Sequence, residues 1–201
     1  PQPLPALCSI QNVAEERTTI HVLERGNWDS KGDEVGPRVL GVFLPDGTPG
    51  FAADIDKPRT RLAKWIIDPR NPLPSRVIAN RLWLYHFGQG IVRTANDFGA
   101  NGDWPSHPAL LDFLANELVD NGWSLKHLHR LMVLSKAYRQ DSRLPPGKEA
   151  TEKDPENRLL WRFNRRRLDA EEVRDALLSL AGRLNSTIGG PSVMVSIEEG
   201  L

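Results

Sequence analysis

Cysteine is nearly missing from this sequence. The one that occurs, Cys8, cannot close a disulfide within the chain. It lies in a Pro-rich opening, PQPLPALCSI, away from any ligand-like cluster. An excess of charge of either sign is missing too. Twenty-six Lys and Arg balance twenty-six Asp and Glu, which removes the simplest electrostatic ground for general attraction to nucleic acid or to a membrane surface. No apolar run approaches the roughly 18 residues of a membrane span. The first residues lack the charged start and long apolar stretch of a signal peptide. CxxC, HExxH, GxSxG and the haem-attachment CxxCH do not occur. GQG at 88–90 has too few glycines for a phosphate loop, and DFG at 97–99 has neither a Gly-rich loop nor an HRD-like stretch to accompany it. No internal repeat is visible. The chain opens on Pro without an initiator Met and reads as a fragment of something longer.

The residues that are present fit one domain of ordinary size, with six Trp to fill a core. Residues 1–17, with three Pro in the first five positions, read as a linker or the tail of a preceding domain. Residues 18–50 read as a β and loop segment. TTIHVLERGN has the two-residue alternation of a strand, VLGVFL at 39–44 offers a second short one, and PDG at 45–47 signals a turn. Residues 51–193 read as a helical domain, and 194–201 as a truncated end.

Within the helical part, Leu62, Trp65 and Ile66 have helical spacing, and Asp68-Pro69 sets a boundary soon after. Ser75 offers an N-cap for a helix over 76–87, and Ser106, followed by Pro108, one for the helix carrying Leu110, Leu111, Leu114 and Leu118. Asn121-Gly122 stops that helix, and Ser124 caps another that runs on to Tyr138-Arg139-Gln140. RLPPGKEATEKDPEN is expected to be an exposed loop. Asp169-x-x-Glu172 resembles a capping box ahead of the stripe Val173, Ala176, Leu177, Leu180, Leu184. The expectation is a mostly α fold of about five helices in an irregular orthogonal bundle, preceded by the small β-containing segment.

RVIANRLWLYHFGQGIVRTANDFG, residues 76–99, holds most of the candidate chemistry. On a helical wheel apolar groups surround nearly the whole circumference, so Asn80 and Arg81 land among them and would need buried partners. Two interpretations stay open. In one, Asn80, Arg81, Asp97, Arg139 and Arg174 form a structural polar network that holds the helices in register. In the other, a pocket at the Gly88–Gly90 break uses His86, Asp97 and Asp103 for acid–base work, with Arg81 and Arg93 binding an anion. His127 and His129, two apart on a helix, diverge by about 160° and cannot share a metal unaided, so no metal site is expected. RFNRRRLDAEEVRD at 162–175 places Arg165, Arg166 and Arg167 where they could hold a phosphate or sulfate. Glu171, Glu172 and Asp175 stand ready to neutralise them locally, Glu171 with Arg174 at i, i+3 spacing.

Four strings, RGNWDSKGDEV, RLAKWIIDPRNPLPSRVIANRLWLYHFGQGIVRTANDFG, WPSHPALLDFLANELVDNGWSLKHLHRLMVLSKAYRQDS and DPENRLLWRFNRRRLDAEEVRDALLSLAGRLN, together resemble the planctomycete PSD domain. The resemblance runs from about residue 18 to residue 193. This is a family of unknown function, often joined to a cytochrome-c-like domain in large, usually exported bacterial proteins. The resemblance implies an extracytoplasmic protein, at the periplasm or cell surface, with other domains of the same polypeptide, and polysaccharide, as partners. It brings no catalytic residues to carry over. No cofactor is expected in this chain, and haem would belong to a missing upstream domain. Neither nucleic acid nor a membrane span is expected. The function that follows is a helical accessory and interaction module, the alternative being a glycan-directed hydrolase or a sulfated-polymer binder with its pocket near His86, Arg93 and Asp97.

Overall fold

The structure is a computed structural model, and it describes residues 13, 16–52, 55–143 and 149–189. Cys8, most of the opening 1–17, part of the segment before Glu149 and the end 194–201 lie outside the described residues. Six helices and one two-stranded antiparallel sheet account for the regular structure among those described, so the fold is mostly α. The chain divides into two compact units, residues 1–163 and 164–201.

The first unit begins with β1, Ile20–Leu23, paired to β2, Lys31–Val35, with a register irregularity between His21 and Leu23. The second strand is thus KGDEV and not the expected VLGVFL. Flanked by Pro37 and Pro45, VLGVFL forms a single 3₁₀ turn at Gly41–Phe43, whose Phe43 packs on Trp65 with ring centroids 6.5 Å apart. Helix α1 spans Pro58–Ile66 and α2 spans Pro72–Phe87. The cap of α2 is Asn71, and Ser75 is buried inside the helix. Both prolines of NPLPS fit only in a first turn, where no intrahelical N–H is needed, so the helix starts four residues earlier than expected. Asn71 Oδ1 accepts from Leu73 N–H at 3.4 Å, and its Nδ2 donates to the Trp65 carbonyl at 3.3 Å.

Helix α3, Pro108–Asp120, has His107 at its cap position; the Ser106 hydroxyl donates instead to the Ile91 carbonyl at 3.3 Å. Ser124 caps α4, Leu125–Leu134, accepting from His127 N–H. α4 stops short of Tyr138 because Ser135 turns extended and its hydroxyl accepts from Tyr138 N–H at 3.1 Å, starting a turn. The expected exposed loop also differs from expectation. Its described residues are mostly exposed, but it contains the short helix α5, Glu149–Lys153, and a turn that buries the side chains of Asp154 and Asn157. There the Asp154 carboxylate accepts from the N–H groups of Arg158 and Leu159, both at 2.8 Å. Asn157 Nδ2 donates to the Arg162 carbonyl at 2.7 Å, and Trp161 Nε1 donates to the Asp154 carbonyl. In the second unit, α6 spans Ala170–Leu180 and carries the capping box, with Asp169 N–H donating to Glu172. Its apolar stripe, Val173, Leu177 and Leu180, is exposed, and Leu184 lies beyond its end.

The core joins Ala79, Leu82, Trp83 and Phe87 of α2 to Leu111, Leu114 and Leu118 of α3 and Leu128 and Met132 of α4, with Ile91 and Val92 between. Trp83 and Phe87, one turn apart, stack with centroids 3.8 Å apart. The all-round burial expected of α2 fails on one stripe. Arg81 is exposed, and Tyr85, one turn on, is 71% exposed. Leaving the guanidinium in water avoids a desolvation cost of several kcal/mol, and Tyr85 on the same side goes with it.

Asn80 is fully buried, and it is the join of this core. Its Nδ2 donates to the Val92 carbonyl at 3.0 Å and its Oδ1 accepts from Val92 N–H at 2.8 Å. Gly90 sits against this clamp, where a Cβ would overlap the Val92 carbonyl and crowd both atoms of the amide. Asn80→Ala orphans two buried backbone groups and is expected to cost about 3 kcal/mol in urea unfolding. Gly90→Ala should destabilise through the same contact, and wild-type midpoints for both variants would contradict it.

Candidate functional site

The residues proposed from sequence do not converge. His86, in the last turn of α2, directs Nε2 to Nδ1 of His129 on α4 at 2.7 Å, so one ring donates and the other accepts. Tyr138 meets the His86 ring edge-on at 5.7 Å and also packs on Phe87 and Phe163. His127 turns the other way, to Glu117 at 2.7 Å. Asp97 is exposed, and its Oδ1 accepts from Gly99 N–H at 2.9 Å within its own loop. Arg93 pairs with Glu156 at 2.7 Å and reaches back to Gln89. Asp103 closes the same loop, its N–H donating at 2.9 Å to Thr94 Oγ1, which itself donates to the Asp97 carbonyl. Among the described residues, no three His, Cys, Asp or Glu side chains gather as a metal site would need.

The five-residue polar network takes a different form. Asn80 bonds Val92, Arg81 donates to Asn96 at 3.0 Å, and Arg139 Nε reaches the Ser135 carbonyl at 3.4 Å. Arg174, in the second unit, pairs with its neighbour Asp175 and not with Glu171. There, too, Arg166 holds Glu172 at 2.6 Å, and this guanidinium, with the Asp169 N–H, pulls the Glu172 carboxyl below its ordinary range. Arg165 and Arg167 are exposed beside it. Asp141 is held down at about 2 by Arg143, whose Nε donates to its carboxylate at 2.7 Å.

Concave surface lies elsewhere in the first unit. A groove of about 820 Å³ runs over α3 and α4 and is lined mainly by Trp83, Phe113, Leu131, Leu134, Ala137 and Leu159. Phe113 is 48% exposed, Leu134 57% and Leu159 67%. Three large apolar side chains standing in water around one hollow form the kind of patch that marks an interaction site. Arg130 also lines the groove and takes no ion-pair partner among the described residues, while the His127 ring hydrogen-bonds Glu117 at 2.7 Å. A second cavity of about 350 Å³ lies beside the start of α3, under Trp104. Sequence reasoning missed the groove. The available signal was Phe113 and Leu134 themselves, apolar positions that fall off the stripes built by Leu111–Leu114–Leu118 and Leu128–Met132.

These contacts separate two substitutions sharply. Arg81→Ala, at an exposed site, is expected to shift stability by less than about 0.5 kcal/mol. Asp154→Ala removes a buried carboxylate that serves two part-buried N–H groups and is expected to cost about 1–3 kcal/mol. Equal losses in chemical denaturation would show that the assignment of surface and core is wrong.

Residues 58–199 match the family model PSD1, described as a protein of unknown function (DUF1553). No curated protein and no solved structure matches the chain.

Proposed function

The chain belongs to the PSD1 family, and we propose that it serves as a helical interaction module whose groove over α3 and α4 receives an acidic amphipathic helix from a partner domain. The observation that carries this is the groove itself. It is apolar and open to solvent, with Phe113, Leu134 and Leu159 uncovered around it. An apolar trough between two helices suits the apolar stripe of a third helix, read as anchors at i, i+3, i+4 and i+7. Charge selects the partner's sign. Arg130 is the unopposed charge of the lining, so a partner carrying Glu or Asp beside its anchors gains a charge-assisted contact, and a basic one meets repulsion.

The alternative of a glycan-directed hydrolase draws less support, because the side chains it would use are engaged separately: His86 with His129, Arg93 with Glu156, Asp97 with its own loop. Placing the module in an extracytoplasmic protein, among other domains of one polypeptide and beside a cytochrome-c-like domain, belongs to the same proposal and rests on the family resemblance alone. No helix among the described residues is long and apolar enough to cross a membrane.

The test uses a labelled helical peptide with leucines at i, i+3, i+4 and i+7 and flanking glutamates, beside a twin with lysines in their place. In fluorescence anisotropy the acidic peptide should bind about fivefold or more tightly than the basic one, a difference of roughly 1 kcal/mol. The double variant Phe113→Glu, Leu134→Glu should abolish binding. No binding of the acidic peptide, or equal binding of the twins, would overturn the proposal, as would full binding by the double variant.

A further inference from the structure

We propose that the cavity under Trp104 is a binding site for a neutral sugar ring, separate from the groove and independent of its occupant. The cavity, about 350 Å³, is walled by Arg76, Phe98, Asp103, Trp104, Pro105 and Asp112. That volume is at the low end for ligand pockets and suits one ring of a small or polymeric ligand.

Trp104 is 88% exposed, yet the backbone on either side of it is fixed. On one side Asp103 N–H donates to Thr94 Oγ1 at 2.9 Å, and that hydroxyl donates to the Asp97 carbonyl at 2.9 Å. Gly102, just before, packs so closely on the Asp97 carbonyl that a Cβ would overlap it. On the other side Ser106 N–H donates to the Ile91 carbonyl at 2.9 Å. The loop therefore spends hydrogen bonds and a glycine on holding a large apolar ring out in water. Exposing an indole forgoes the burial energy that Trp supplies elsewhere in a fold, and a ligand that covers it recovers that energy.

The polar wall selects the ligand. Arg76 Nε donates to Asp112 Oδ1 at 2.8 Å and its Nη1 to the Pro72 carbonyl at 2.8 Å, which fixes the guanidinium at one edge of the cavity. The Asp103 carboxylate takes no partner among the described residues. One guanidinium and two carboxylates leave the lining with net charge −1, which repels sulfate, phosphate or carboxylate. The guanidinium in turn opposes a cation. A neutral ring with several hydroxyls meets all three groups at once. Its O–H groups donate to Asp103 and Asp112, its oxygens accept from Arg76, and its C–H face, weakly positive, lies on the negative face of the indole. An uninterrupted polyproline run would also stack but has no N–H to give the two carboxylates.

The whole chain is titrated with cellohexaose, mannohexaose and chitohexaose, and with dextran sulfate, reading the Trp104 indole N–H signal by NMR. At least one neutral hexaose should shift that signal saturably below about 10 mM, the range of weak but specific binding. Trp104→Ala, read at the backbone N–H signals of Gly102 and Asp103, should weaken that binding by about tenfold or more, consistent with loss of one stacking contact. Asp103→Asn should weaken it less, and both variants should keep the wild-type melting temperature, since neither side chain is buried. The proposal is overturned if no neutral hexaose shifts the signal, if Trp104→Ala binds as well as wild type, or if dextran sulfate binds at Trp104 more tightly than the neutral sugars. Peptide binding in the groove should be unchanged by Trp104→Ala, so failure of one site leaves the other standing.

Discussion

The first unit depends on a buried amide. Asn80 satisfies both polar groups of Val92 from the centre of α2, and in doing so it fixes where the chain goes after the helix ends at Gly88. The segment from Gly88 to Val92 is irregular and crosses the core, so its backbone groups need partners that no ladder or helix supplies. Asn80 provides one pair, and the Ile91 carbonyl is met by the N–H and hydroxyl of Ser106, which brings α3 into place. Ile91 and Val92 can then be buried as apolar side chains without leaving their own peptide groups unpaired. Gly90 is required because the clamp leaves no space for a Cβ.

Much of the remaining polar chemistry is local bracing of the same kind. Asp97 and Thr94 build the loop that presents Trp104, Asp154 and Asn157 tie the turn after α5, and Ser135 ends α4. Asp97, a catalytic candidate in the sequence, here also accepts from the backbone N–H of Gly99 in its own loop. The two hollows proposed for recognition among the described residues differ in chemical type. One is a broad apolar trough with a single opposing-charge requirement, and the other a small hollow with an aromatic wall and a mixed polar rim.

Helices were legible where the pattern was local. The stripe of Leu111, Leu114 and Leu118, the Ser124 cap, the Asn121-Gly122 stop and the Asp169–Glu172 box can each be read within a few residues, because period and cap chemistry act over one turn. Asn80 was legible as a buried polar group needing a partner, but its partner was not, since Val92 offers only backbone. Arg81 was misplaced because a wheel assigns angles and not neighbours, and α2 keeps one stripe in water. The Asp154 turn was hidden for a different reason. Its composition is that of a loop, and only Leu160 and Phe163 packing beside it, with Trp161 bonded back to the Asp154 carbonyl, make it interior. The groove and the Trp104 hollow come from what neighbouring elements fail to cover, and no single segment carries that information.

The Asn80 clamp also bears on how the chain finds its fold. Its two residues are 12 apart, whereas Arg93 and Glu156 are 63 apart. With the entropy of closure rising as the logarithm of loop length, bringing Asn80 to Val92 costs about 1.5 kcal/mol less than bringing Arg93 to Glu156. The contact that organises the core is therefore among the cheapest for the unfolded chain to try. α2 and the crossing segment can meet before the distant turn at Asp154 has been reached, and the long-range ion pair then fastens an arrangement that shorter searches have already made.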